Sequence, residues 1–247
     1  MRRDYQGIGI NTSKNTHEVI FSLMDPDRDS VIADIPTGSG AFVQRLKDQG
    51  YPNIYAIDIQ NFFEADHDNF LLGNMNEALP LPDNSCDILI CIDGIEHISR
   101  QFDFVKEVNR VLKKNGKFIF STPNISSLRS RWKWLTTGHH HKETAPFDEN
   151  HPSSLHHISL LSFPDIRYLL HTSGFKINRV LTNRIKPAQM IFSLFLPLIY
   201  PSMALTYRKQ GKKNNTRKIN REVFRTMFSK QILFGETTII QALKSDR

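Results

Sequence analysis

The segment Val31–Gly40, VIADIPTGSG, limits this chain more than any other. An apolar run ends in a carboxylate, Asp34, and enters a turn that carries Gly38 and Gly40. A helical alternation follows from Ala41 to Gln49. Strand, tight glycine turn and helix N-terminus in this order belong to an open, doubly wound sheet. There the turn leaves backbone N–H groups bare for a nucleotide-like ligand. Asp34 selects among such ligands, because a fixed carboxylate repels a pyrophosphate and attracts an ammonium group. A dinucleotide site also fails on spacing, since its third glycine would fall at Val43.

The rest of the chain alternates as such a sheet requires. Ser13–Met24 reads as an amphipathic lead helix. Strands are predicted at Val31–Pro36, Ile54–Ile59, Phe70–Leu72, Asp87–Ile92, Lys117–Ser121, Phe175–Leu181 and Thr237–Leu243. Helices are predicted at Phe102–Leu112 and Pro164–Thr172, the latter capped by Ser162 and closed by Gly174. The expected fold class is α/β, a doubly wound, seven-stranded and mostly parallel sheet with an antiparallel last strand. A single domain over 1–247 carries two irregular segments, 124–160 beside the acceptor pocket and 186–230 as an insertion. Cys86 and Cys91 lie five apart in one run, so on a strand they face opposite sides and stay reduced, a cytosolic pattern. The N-terminus MRRDYQGIGINTS has no apolar stretch of the secretory kind.

Five segments in this order resemble the class I S-adenosylmethionine (SAM)-dependent methyltransferases. They are ADIPTGSG, YAIDIQ, GNMNEALPLPDNSCDILICIDGIEHI, FVKEVNRVLKKNGKFIFSTPN and LSFPDIRYLLHTSGF. The resemblance covers roughly 28–183, returns at 232–244, and is strongest to the branch with ubiquinone O-methyltransferases and polysaccharide-locus methyltransferases. It implies SAM as cofactor, whose ammonium suits Asp34. It further implies a turn of Pro36, Gly38 and Gly40 close to the cofactor, with Pro36 where the family usually has glycine. Asp58, with its neighbour Ile59, would meet the ribose hydroxyls, Asn74 and Met75 would lie against adenine, and Asp93 would border the same crevice.

Asp93, Glu96 and His97 form D-x-x-E-H after the fourth strand. The spacing is similar to the E-x-x-E-H of ubiquinone O-methyltransferases, which implies weak candidates for a Mg²⁺-like divalent cation. Hydrogen bonds that shape the pocket are the favoured reading. Methyl transfer to oxygen needs a base near neutral pH, and His157, His97 and His156 are the candidates. His157 matches the family's H-I-x-x-x-S stretch beside the acceptor pocket. His139–His141 and His151 read as solvated loop residues.

Charge is divided unevenly. Residues 1–186 carry a net −1 and residues 187–247 a net +8, so the basic pI of 9.4 describes the tail. The neutral core, with CIDGIEHI where nucleic-acid amino-methyltransferases place an Asp/Asn-Pro-Pro-aromatic segment, argues against a nucleic-acid partner. Pro187–Tyr207 contains no charged residue, and nine basic residues follow between Arg208 and Lys230 with only Glu222 opposing. Apolar surface beside dense positive charge suits peripheral contact with an anionic membrane surface. Pro197 and Pro201 are expected to break this stretch as a transmembrane helix. A helical lid or dimer interface is the competing reading, and the sequence assigns no oligomeric state.

The expected function is O-methylation of a small-molecule or glycan acceptor. A lipid-linked glycan, an envelope polysaccharide (polysaccharide biosynthesis) or a prenylated aromatic would serve, in the cytoplasm and peripherally at the inner face of the membrane. The alternatives are a non-catalytic methyltransferase-like protein that recruits partners through the insertion, or a small-molecule or nucleic-acid methyltransferase.

Overall fold

The computed structural model describes residues 3–65, 69–143 and 147–245. Residues 144–146 of the 124–160 segment therefore lie outside the described residues. The chain opens with a hairpin of β1 (Asp4–Tyr5) and β2 (Ile8–Gly9) and a helix α1 (Thr16–Met24). Then come β3 (Ile32–Asp34), α2 (Ala41–Asp48), β4 (Ile54–Asp58), β5 (Phe70–Leu72), β6 (Cys86–Ile92), α3 (Gln101–Val111) and β7 (Leu112–Pro123). Helices α4 (Leu128–Thr137) and α5 (Phe163–Thr172) lead to β8 (Phe175–Thr182). The insertion forms a 3-10 segment (Pro187–Phe195), α6 (Leu196–Lys213) and α7 (Arg217–Met227), and α8 (Lys230–Phe234) precedes β9 (Thr237–Lys244).

Among the described residues, seven strands form one sheet in the order β5-β4-β3-β6-β7-β9-β8. The first five in this order pair in parallel, and β9 runs antiparallel to both β7 and β8. This is the expected α/β, Rossmann-like methyltransferase fold. Alternating side chains split the core in two. Ile32, Ile88, Ile90 and Ile119 pack against Ile20 and Leu23 of α1 and Phe42 and Leu46 of α2. Ala33, Leu89, Phe118 and Phe120 pack on the other face against Phe104 and Val108 of α3 and Ile166 and Leu170 of α5. Each fully buried large apolar side chain contributes about 1.5–3 kcal/mol, so the two faces hold the sheet rigid beneath the site.

Four expectations change. Cys86 and Cys91 are free, as expected, but both pack in the core on the α3 face, and between Cys86 and Ile88 the pairing with β7 is irregular. Residues Leu128–Thr137 are helical within a stretch expected to lack a period. Strand β7 starts at Leu112, where the loop residues Lys113–Gly116 were expected to separate helix from strand. Pro197 and Pro201 do not break the apolar stretch. Pro197 sits in the first turn of α6, where its missing N–H costs nothing, and Pro201 lies inside the helix.

Pro187–Lys213 thus forms a helical rod long enough to cross a membrane, and its most apolar 18 residues have a mean hydropathy of 1.5. One face packs on the domain, with Phe192, Leu196 and Ile199 against Leu128, Leu233 and Phe234, and the other is exposed, with Leu194 at 75% and Leu198 at 72%. The rod leaves from β8 and its chain returns to β9, which pair with each other, so both ends of the insertion stand at the same sheet. Helix α7 packs back along α6 through Tyr200, Tyr207 and Phe224.

Candidate functional site

A cavity of about 1410 Å³ opens at the carboxyl ends of β3, β4 and β6. Asp34 ends β3 inside it and is 1% exposed. The Thr37 hydroxyl donates to Asp34 Oδ2 at 3.0 Å, while Oδ1 has no hydrogen-bond partner among the described residues. Burial pushes the Asp34 carboxyl up to about 7, with Thr37 opposing and Asp58 adding to the rise. A buried, half-partnered carboxylate of this kind is completed by a cationic donor from a ligand.

The turn after β3 is built around backbone. The Ile35–Pro36 bond is cis, and Pro36 lines the cavity. Gly38 has φ +55° and no atom within 4 Å of where a Cβ would stand, so its surface is open cavity wall. Gly40 has φ +88°, and a Cβ there would meet the Phe63 ring at 2.5 Å. Gly40 therefore shapes the turn from behind and does not itself line the cavity. The Gly38 N–H donates to Asp58 Oδ2 at 2.8 Å, and the Ile59 N–H donates to Asp58 Oδ1 at 2.7 Å. Each carboxylate oxygen keeps a second lone pair for a hydroxyl donor. Ile59 is 54% exposed and presents an apolar edge at the same rim.

Asn74 and Met75 also line the cavity. The Asn74 side chain is engaged within its own loop, accepting from Asn76 N–H at 3.0 Å and donating to Glu77 at 2.9 Å. Met75 is rooted in the core on the α3 face. The loop is thus a preformed wall. Asp93 is held from two sides, by Ser121 Oγ at 2.5 Å and by the Thr12 hydroxyl. Thr12 belongs to an N-terminal stretch, Gly9 to Lys14, that forms one side of the cavity. This wall is not legible in the sequence, because its residues carry no periodic pattern and act through tertiary contact.

Glu96, His97 and His157 meet in the same cavity as Asp34. Their donor atoms lie within 4.8 Å of one another. The His97 Nδ1 contacts the His156 carbonyl at 3.1 Å, which fixes Nδ1 as the protonated nitrogen and leaves Nε2 basic. The His97 and His157 rings meet edge to face at 4.8 Å. Burial lowers both imidazoles below their ordinary range, and for His97 the neighbouring His157 adds to the shift. Both are therefore neutral near pH 7. Glu96 is fully buried, neither oxygen has a partner among the described residues, and burial and Asp93 push its carboxyl well up. His156 stacks on Phe147 at 5.2 Å and does not line the cavity.

The geometry thus brings His157, and not the expected Asp93, together with Glu96 and His97, while each Asp93 oxygen accepts one hydroxyl donor from Ser121 or Thr12. One carboxylate with two imidazoles suits a transition ion better than Mg²⁺, which prefers oxygen ligands.

Comparison with known proteins adds a family match over part of the chain, and the fold. Residues 33–120 match the family described as a methyltransferase domain. A "Probable S-adenosylmethionine-dependent methyltransferase" of Mycolicibacterium smegmatis is 33% identical over 109 residues, 44% of this chain and 35% of that one. The malonyl-(acyl-carrier protein) O-methyltransferase of Marinomonas sp. is 27% identical over 120 residues, 45% of this chain and 44% of its own length. The aligned part thus spans less than half the length of either relative. A SAM-dependent methyltransferase structure from Thermotoga maritima superposes with a TM-score of 0.58 at 16% identity, covering 94% of this chain and 88% of that one. That likeness establishes the shared fold.

Proposed function

We propose that this chain, which carries a class I SAM-dependent methyltransferase domain, methylates a hydroxyl of an acceptor held at a membrane surface. The acceptor classes are a lipid-linked glycan, an envelope polysaccharide or a prenylated aromatic. The donor half of this reading rests on one observation, the buried Asp34 carboxylate, which lines the cavity and has one oxygen without a hydrogen-bond partner among the described residues. Asp34 would hold the ammonium of SAM, Asp58 the ribose hydroxyls, and the Asn74–Met75 wall the adenine. When bound, SAM supplies an electrophilic methyl group on a sulfonium.

The chain's own work is to orient the acceptor oxygen and take its proton. His97 Nε2 is basic because Nδ1 is held by the His156 carbonyl, and His157 Nδ1 has no partner among the described residues. Both residues line the cavity, and a neutral imidazole is the form competent to take the hydroxyl proton.

The membrane half rests on the exposed apolar rod Pro187–Lys213 and on the nine basic residues between Arg208 and Lys230. Near an anionic surface each basic residue contributes about 1 kcal/mol. The rod would lie in the interface and not cross it, because the two ends of the insertion meet at one sheet.

Incubation of the protein with methyl-labelled SAM and membrane glycolipid, polysaccharide and quinone-precursor fractions tests the reading. Label is expected in one of these fractions. Label in none of them would refute it.

A further inference from the structure

Glu236 is buried at the cavity wall beside three cations. Arg184 Nε hydrogen-bonds Oε2, Lys186 Nζ reaches Oε1 at 3.2 Å, and Lys142 Nζ lies 3.7 Å from the same oxygen. The cations come from two separate parts of the chain, the loop after α4 and the segment after β8. Burial raises the Glu236 carboxyl, but Arg184 and Lys186 outweigh it and hold it at about 2. Glu236 is thus already ionised at any working pH and has no further charge to offer.

One carboxylate balances one cation. Two positive charges remain, and at this spacing they repel each other unless a second anion joins them. Both amines touch the same Oε1 atom, so they are close enough for the oxygens of one phosphate to bridge them. Their side chains remain 38% and 41% exposed, so a ligand can reach them.

The cluster adjoins the candidate chemistry. Lys142, Arg184 and Glu236 line the same cavity as Asp34, Asp93 and His157. Lys142 acts on His157 through both its backbone carbonyl and its charge. On its other side, Lys186 leads directly into the exposed apolar rod.

We propose that Lys142, Arg184 and Lys186 form the subsite for a phosphate or diphosphate group of the acceptor, a proposal that rests on the methyltransferase reading and deepens it. The two lysine amines hold the phosphate oxygens, Arg184 keeps Glu236 in place beneath them, and the neighbouring part of the acceptor faces His157. A lipid tail attached to the phosphate would lie along the rod.

Calorimetric titration of the full chain with inorganic diphosphate, and separately with water-soluble geranyl diphosphate, tests this with and without S-adenosylhomocysteine. Diphosphate is expected to bind at one site. Combining Lys142→Gln with Lys186→Gln should weaken it by about tenfold or more, the loss of two charge-assisted contacts. Combining Lys106→Gln with Lys176→Gln, two exposed lysines elsewhere, should leave it unchanged. Tighter binding of geranyl diphosphate supports a lipid-linked acceptor. Equal binding of both probes supports recognition of the phosphate alone. Absence of diphosphate binding, or equal binding by all variants, overturns the subsite. Titration with S-adenosylhomocysteine in the same series reports on the donor site separately, so failure of the methyltransferase reading would be visible apart from the diphosphate result.

Discussion

The Thr37 hydroxyl satisfies one oxygen of Asp34 at 3.0 Å and leaves the other buried and unpartnered among the described residues. The ligand-free protein therefore holds a carboxyl that resists ionisation, pushed from 3.8 to about 7 chiefly by burial. Between these values the unfolded chain releases the proton while the folded chain keeps it. Stability thus falls as pH rises from about 4 to about 7, by on the order of 4 kcal/mol. Asp34→Asn removes this contribution. Thermal melts at pH 5 and pH 8 should show wild type losing more stability than the variant between the two. Parallel behaviour of the two proteins would count against the assignment.

The two imidazoles give a second prediction. His157→Gln and His97→Gln are each expected to lower turnover by about 10²- to 10⁴-fold, the usual worth of a general base, if that residue is the one that takes the proton. Affinity for S-adenosylhomocysteine should stay unchanged in both. Because burial lowers both imidazoles, at saturating donor, where the ligand holds Asp34 ionised, the acidic limb of the rate profile should fall below the ordinary 6.5 and turnover should be flat above it. Steady-state rates across pH for wild type and both variants identify the base, and undiminished turnover in both variants removes the pair from the mechanism.

The two turn glycines should separate fold from binding. Both have positive φ, so alanine at either strains the backbone by about 1–2 kcal/mol. At Gly40 the added Cβ also meets the Phe63 ring at 2.5 Å, whereas at Gly38 it meets open cavity. Denaturant titration should therefore show the larger stability loss for Gly40→Ala. Gly38→Ala should fold nearly as well as wild type yet bind S-adenosylhomocysteine poorly, since its methyl group enters the crevice.

The apolar rod yields a prediction about membranes. Leu194 and Leu198 are 75% and 72% exposed, so charge there leaves the fold intact. Leu194→Glu combined with Leu198→Glu should keep the wild-type melting temperature and abolish pelleting with phosphatidylglycerol vesicles. A fall in melting temperature without change in pelleting would identify the rod as a structural lid. Trp132, 41% exposed and stacked on Phe195 at 4.8 Å, adds α4 to this surface.

Much of the sheet was legible because its strands are apolar runs bounded by turn residues. Ile54–Asp58 and Phe70–Leu72 fall within one residue of expectation. Elements without a buried stripe were not. Helix α4 buries only Leu128 and Ser130 and exposes Trp132, Trp134 and Leu135, so no hydrophobic period marks it. Cys86 sits where the β6–β7 pairing is irregular, which alternation alone does not predict. At the site, the Asp34, Gly38 and Asp58 constellation is local and readable in order. The meeting of Glu96 with His157, and of Glu236 with Lys142, joins residues far apart in the chain, and only the folded sheet brings them together.

Calorimetric titration of S-adenosylhomocysteine into wild type and Asp34→Asn at pH 8 tests the central claim most directly. Asp34 is ionised there, so wild type should bind one equivalent, and the variant should bind about 10- to 100-fold more weakly through loss of a charged hydrogen bond. No binding by wild type at millimolar ligand, or equal affinity in the two proteins, would contradict the account.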